Sequence, residues 1–517
     1  MNIKNFLFPS LLVGTVLALI LRQANNPTSR KMPSNSASYD AVDDYIEGQM
    51  RRLNLPGASL AIVEGDQIVH LRGFGRARPG GEAPTPQMPF LIGSTTKSFT
   101  ALAVMQLAEA GKVELDAPVQ RYLPWFRVAD PQASAQITLR HLLNQTSGLP
   151  LKPAWQLLAD FDDRPDASER QAHALATCNL SRPVGAAFEY SNLNYNLLGL
   201  VIQAASGESY ADYIQNHIFG PLEMRHSYTS KAAARQDGLA VGHQSWFGFP
   251  IAVPNLPIPG GSLPSGQLIS SAEDMGHYLI AHLNQGRYGE AQILSPEGIA
   301  ELHRPAAKAI SWGVQTGWYG MGWYFEQQGQ TKIVWHSGMI PDFYTYMALL
   351  PEQKRSVVML INANHFTGEF TLSEVGAGVA ALLAGNPPAP IQLGAVPWVL
   401  RLLPLIPLLQ IAGVAITLGL LRRWRQEPQR RPSCGRAWGL YILPPLIPNL
   451  LLVTIPVYLL ANRILGFMLL FAPDFTWIAL ICGGFAGIWT FLRTGLILWT
   501  LRNLQESKAL VGHPGAE

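Results

Sequence analysis

The strongest constraint on this 517-residue chain sits near its end, where three long apolar segments follow one another at about 398–421, 439–461 and 475–492. Runs of that length and so little charge match the hydrocarbon thickness of a bilayer, which a helix of about 20 residues crosses. Between the first two lies RRWRQEPQRRPSCGR, with six arginines against one glutamate. The bias of Lys and Arg toward the inner face puts that loop in the cytoplasm. Counting back across one span places everything before it outside the cytoplasm. Counting forward across two places Arg493, Arg502 and Lys508 inside, with a cytoplasmic tail at 503–517. Arg22, Arg30 and Lys31 then lie outside, outweighed by the arginine loop. Residues 464–472 read as an interfacial piece or an extension of a neighbouring span. Arg401 and Arg493, near span ends, read as snorkelling side chains. A lipid bilayer is thus an expected partner.

Ahead of this bundle the chain is of a different kind. Residues 6–21, FLFPSLLVGTVLALIL, are short for a span and suit the core of a secretory signal, so 1–22 reads as a signal peptide or a retained anchor. Residues 23–38 read as a polar linker, 39–386 as a globular α/β domain, and 387–397 as a second linker before the spans at 398–502. Within the domain YDAVDDYIEGQMRRL predicts an amphipathic helix. ASLAIVEGDQIVHLRGFG predicts two strands turning at Gly65-Asp66, while KIVWHSG, FYTYMALLP and RSVVMLINAN predict three more. TLSEVGAGVAALLAG predicts a closing helix. Strands at both ends with helices between predict one sheet built from both termini. A net charge of +3 gives no case for nucleic acid. Three scattered cysteines and twelve histidines without paired spacing predict neither a disulfide framework nor a metal site, and no cofactor. GFGRARPGG follows a strand but opens no helix, which argues against a phosphate loop.

Chemistry enters with FLIGSTTKSFTALAVMQLAEAGK. If STTKSFTALAVMQLAEAG is a helix, Ser94 and Lys97 lie one turn apart on one face, behind Gly93 and at a helix start. A lysine in such apolar surroundings loses its proton more easily and can act as base toward a serine nucleophile. A capping serine with a solvated lysine fits those residues equally. Tyr190-Ser191-Asn192 in FEYSNLNYNLLGLVI places a tyrosine and an asparagine on a loop at a helix start, with a packed tyrosine and a capping asparagine as the plain alternative. His336-Ser337-Gly338 ends a predicted strand. An edge there can offer the Met339 N–H to an oxyanion opposite that of Ser94, or simply be a strand end and turn.

In this order the three elements resemble the class C β-lactamase and D-alanyl-D-alanine carboxypeptidase group of serine hydrolases, as do LRHLLNQTSGLP, LPSGQLISSAEDMGHYL and WYGMGWYF. The resemblance covers roughly residues 40–386. It implies a fold of an antiparallel sheet flanked by helices with an all-helical sub-domain, followed here by the three-span bundle. It makes Ser94 the acylated nucleophile, Lys97 its base and Tyr190 the proton relay. Asn192, His336, Ser337 and Gly338 become substrate-binding, with the Ser94 and Met339 N–H groups as oxyanion hole. Two departures stand out. His336 replaces the lysine of Lys-Thr-Gly, which binds a substrate carboxylate, and Pro341-Asp342-Phe343 replaces the more usual Pro-Gly-Phe. The implied protein is a membrane-anchored serine peptidase or amidase acting outside the cytoplasm on a small-molecule or peptide substrate, one containing D-amino acids being favoured. A β-lactamase is the nearest alternative, and a penicillin- or peptidoglycan-sensing protein signalling through the spans is an alternative of another class. No protein partner can be named from these residues.

Overall fold

The computed structural model of the protein describes residues 39–162, 164, 166–311 and 314–511. The expected signal or anchor, the first linker and residues 512–517 lie outside the described residues. The chain divides into two compact units, one ending at Ala395 and the other beginning at Val396.

The first unit is built on an eight-stranded sheet. Its first two strands, β1 (Gly57–Glu64) and β2 (Gln67–Gly75), form a hairpin whose turn at Gly65 has φ +62°, the left-handed value such turns demand. The other six come from the far end of the unit: β3 (Ala307–Ser311), β4 (Val314–Gly320), β5 (Trp323–Gln328), β6 (Thr331–Met339), β7 (Tyr344–Leu350) and β8 (Arg355–Ile361). They run as an antiparallel meander, and the order β2-β1-β8-β7-β6-β5-β4-β3 closes the two halves by pairing Ala58 with Ile361 and Glu64 with Arg355. The sheet is thus built from both ends of the domain, and β3, β4 and β5 extend it beyond the strands read from the sequence.

Five helices matter for the site: α1 (Asp40–Leu53), α2 (Thr96–Glu109), α3 (Asn192–Ser206), α4 (Ala272–Leu283) and α5 (Gly368–Leu383). The pleat sorts β8 between two cores. Val357, Met359 and Ile361 face α1 and α5, packing with Ile46, Met50, Val375 and Val379. Val358 and Leu360 face the other way, into a larger core with Phe99, Leu102, Leu198 and Tyr278. Both faces are covered, which is why RSVVMLI is apolar without alternation. The helical body around α2 and α3 forms the second layer, with α2 buried on almost every side.

The second unit has three stretches long and apolar enough to cross a membrane: Leu405–Gln426, which is α6, Cys434–Ala461, which ends in α7 (Leu443–Ala461), and Pro473–Arg502, the first part of α8 (Pro473–Val511). The first begins later than its sequence suggested, because Val396–Leu402 is a separate short helix that ends before Pro404. The ambiguous stretch 464–472 is neither an extension of α7 nor of α8. It forms its own helix, Leu465–Phe471, set off by the positive φ of Arg463. α7 and α8 meet closely at Gly483, where a side chain would lie 2.7 Å from the Leu452 carbonyl, as small residues permit between membrane helices.

Candidate active site

Ser94 does not stand on the helix its sequence suggested. It sits in a tight 3₁₀ turn, Gly93–Thr95, that leads into α2, and Lys97 occupies the first turn of α2 behind it. The turn is possible because Gly93 adopts φ +55° and because the Thr95 hydroxyl ties back to the Ile92 carbonyl at 2.7 Å. Lys97 is 0% exposed, with Nζ 3.1 Å from Ser94 Oγ and 2.6 Å from the Ser265 carbonyl. Burial alone holds its amine well below the ordinary 10.5. As a neutral amine it can donate to Ser265 and keep its lone pair for the Ser94 hydroxyl. The carbonyl of Ser265, a residue the sequence did not single out, therefore aims the base.

The lysine also lies 4.8 Å from the centre of the Tyr190 ring and 5.8 Å from that of Tyr195. Tyr190 is held by a loop that Gln145 organises. Gln145, buried and at φ +58°, accepts the Ser191 N–H at 2.9 Å through Oε1, and its carbonyl accepts the Glu189 N–H at 2.8 Å. Sequence reasoning missed this residue. Its stretch, LRHLLNQTSGLP, was visible, but nothing local announces a glutamine at positive φ. Asn192 begins α3, and its Oδ1 is buried with no hydrogen-bond partner among the described residues. An acceptor left this way at the site is suited to a substrate N–H.

Opposite Ser94 runs the end of β6. β6 is an interior strand of the sheet, yet β5 pairs only with its Thr331–Trp335 part, so His336–Met339 has an open flank on that side. The Ser94 turn fills it at very close range. A Cβ on Gly338 would lie 2.0 Å from the Ile92 carbonyl and 3.2 Å from the Ser94 nitrogen, and one on Gly93 would lie 2.8 Å from the Met339 nitrogen. Only two glycines allow this contact, and it brings the Ser94 and Met339 amides together, the pairing an oxyanion hole needs. Ser337 is buried beside them. His336 is 1% exposed and ringed by Tyr324, Tyr319 and Tyr190, at 5.3, 6.2 and 6.4 Å between ring centres. Its Nδ1 lies 2.5 Å from the Ser337 carbonyl, which only accepts, so Nδ1 carries the proton and Nε2, buried and unpartnered, the lone pair. Burial pulls His336 down to about 3, so it is uncharged at neutral pH.

The family model described as Beta-lactamase matches residues 42–380. The chain belongs to the beta-lactamase family. It is 28% identical over 337 residues to Protein flp of Staphylococcus aureus (strain NCTC 8325 / PS 47), a match covering 63% of this chain and 64% of that protein. Penicillin-binding protein 4 of Amycolatopsis lactamdurans is 29% identical over 348 residues, 66% of this chain and 88% of that one. The octameric penicillin-binding protein homologue from Pyrococcus abyssi shares the fold with a TM-score of 0.61 and 28% identity, covering 71% of this chain and 81% of that one. The chain thus spans 64% of the length of the S. aureus relatives it matches.

Against the beta-lactamase-family pattern the two departures take physical form. At the place of the lysine stands a neutral, buried imidazole. At the place of the turn glycine stands Asp342, 2% exposed, its carboxyl pushed up to about 7 by burial against the weaker pull of Lys231. It fits because residue 242 is glycine, where a Cβ would lie 2.3 Å from Asp342 Oδ2.

Proposed function

We propose that the protein is a membrane-anchored serine hydrolase acting outside the cytoplasm, a peptidase or amidase that cleaves an amide or ester through an acyl-enzyme on Ser94. The observation that carries this reading is the Ser94–Lys97 contact at 3.1 Å, with the lysine wholly buried and aimed by the Ser265 carbonyl. The neutral Lys97 amine takes the Ser94 proton as Oγ attacks the substrate carbonyl. The oxyanion accepts hydrogen bonds from the Ser94 and Met339 N–H groups, in place before any charge develops. The proton then passes to the leaving amine or alcohol from Lys97, with Tyr190 beside it as relay. Water, deprotonated toward the same pair, attacks the acyl carbon and returns the proton to Ser94 Oγ.

The substrate reading follows from charge. A carboxylate-terminated substrate needs a cation at the end of β6, and His336 is neutral there. Asn192 Oδ1 offers an acceptor for an amide N–H. Both favour D-aminoacyl amides, peptides or esters over β-lactams bearing a free carboxylate. The three membrane-length helices and the arginine-rich loop 422–436 support tethering with the catalytic unit outside.

The test uses the full chain in mild detergent with p-nitrophenyl esters, D- and L-aminoacyl p-nitroanilides and nitrocefin. Turnover of an ester or D-aminoacyl amide that Ser94→Ala abolishes is the expected result. Equal rates in both proteins on every substrate would remove the catalytic reading. Fast nitrocefin turnover would instead favour a β-lactamase, and a stable single-turnover penicillin adduct a sensor.

A further inference from the structure

Arg493 lies on α8 within a membrane-length helix, and only 7% of it is exposed. Its Nε donates to Thr417 Oγ1 on α6 at 3.0 Å, and that hydroxyl donates onward to the Gly413 carbonyl at 2.8 Å. The side chain therefore does not snorkel to the near end of its span, as its position in the sequence suggested. Helical side chains lean toward the N-terminus, which on α8 is away from the arginine-rich end. Thr417 lies about 7 Å along α6 from Arg422, at about 1.5 Å per residue, so the guanidinium sits about one and a half turns inside the arginine-rich end of the bundle.

A guanidinium there stays charged and calls for an anion. Among the described residues of the bundle none lies beside it. Beyond residue 396 the chain carries eleven Lys and Arg and only four carboxylates, Glu427, Asp474, Glu506 and Glu517. Glu427 is engaged by Arg423 and Arg430. Asp474 lies about 28 Å from Arg493 along α8, and Glu506 about 20 Å in the other direction. Glu517 lies outside the described residues. Among the described residues Arg493 has no ion pair and no acceptor besides Thr417. At the same end of the bundle Arg425 stacks 5.2 Å from the Trp499 ring, and the six-arginine loop adds a field that draws anions.

We propose that Arg493 and Thr417 form a binding site for the phosphate of a phospholipid at the arginine-rich end of the bundle. The two terminal nitrogens of Arg493 meet two phosphate oxygens side by side, Thr417 fixes the fork through Nε, and the acyl chains lie along the apolar helices.

The full chain, delipidated in mild detergent, is offered dioleoyl-phosphatidylglycerol, a phosphate-free dioleoylglycerol or inorganic phosphate, and followed by native mass spectrometry and thermal unfolding. Wild type is expected to retain one phosphatidylglycerol and to gain several degrees in Tm. Arg493→Gln is expected to lose at least tenfold in retention, together with the Tm gain. Thr417→Val, a gentler change, is expected to weaken retention less. The proposal falls if wild type and Arg493→Gln retain the lipid equally. It falls too if the phosphate-free lipid or inorganic phosphate alone gives the same Tm gain. Conversion of an oligomer to monomers by Arg493→Gln, with lipid retention unchanged, would assign the anion to a second copy instead. Should Arg493→Gln fail to fold, the wild-type comparison of lipids with and without phosphate decides.

Discussion

Among the described residues Lys97 makes no ion pair; it lies against the Ser265 carbonyl, the Ser94 hydroxyl and two aromatic rings. Its amine titrates lower in the folded chain than in the unfolded one, so the unfolded state holds the extra proton between those two values and stability rises with pH across that window. Lys97→Met is therefore expected to raise Tm at pH 7, by an amount that shrinks as pH approaches 10.5, while cutting kcat/KM about a thousandfold. Thermal scans at several pH values beside ester kinetics check both halves; a lower Tm at pH 7 would contradict the account. Asp342 runs the other way. Its folded value of about 7 lies above the ordinary 3.8, so the folded state binds more protons in that window and stability falls as pH rises through it. Asp342→Asn should be more stable than wild type at pH 8, by about 2–4 kcal/mol, and equal to it near pH 4. His336 is expected to stay uncharged from pH 5 to 8, which the imidazole carbon shifts of labelled protein would report. His336→Lys should shift preference toward carboxylate-bearing substrates by tenfold or more, read as a ratio of kcat/KM values for a matched acid and amide.

At the scale of elements, the strand end of β6 and the turn before α2 act as one device, made by two glycines. Gly93→Ala puts a Cβ 2.7 Å from the Gly338 carbonyl carbon and strains a backbone at φ +55°, so the two amides must part. A loss of about a hundredfold in kcat with little change in KM is expected, because an oxyanion donor acts mainly in the transition state. A fall confined to KM would argue against the oxyanion role. The elements carrying this device were legible from the sequence: the hairpin turning at Gly65 and the strands ending in WHSG and LLP stand where the pattern placed them, and the apolar helix begins at Thr96, two residues after the predicted start. What could not be read is long-range. That Ser265 aims the lysine and that Gln145 holds the Tyr190 loop depend on contacts between residues 168 and 46 positions apart. Arg493 was misread for a related reason, since its partner Thr417 lies on another helix.

In the whole molecule a unit of the beta-lactamase family is followed by one with three membrane-length helices. The proposed topology predicts that a cysteine introduced into loop 422–436 is shielded from membrane-impermeant thiol reagents in intact cells, while one on the surface of the catalytic unit is labelled. The most direct test of the central claim is the mass of the protein during turnover. Rapid quenching with a slow ester or D-aminoacyl substrate should trap a protein heavier by one acyl group, with the added mass on the peptide containing Ser94 and none on Ser94→Ala. Turnover with no mass on that peptide, or the same adduct on Ser94→Ala, would contradict it.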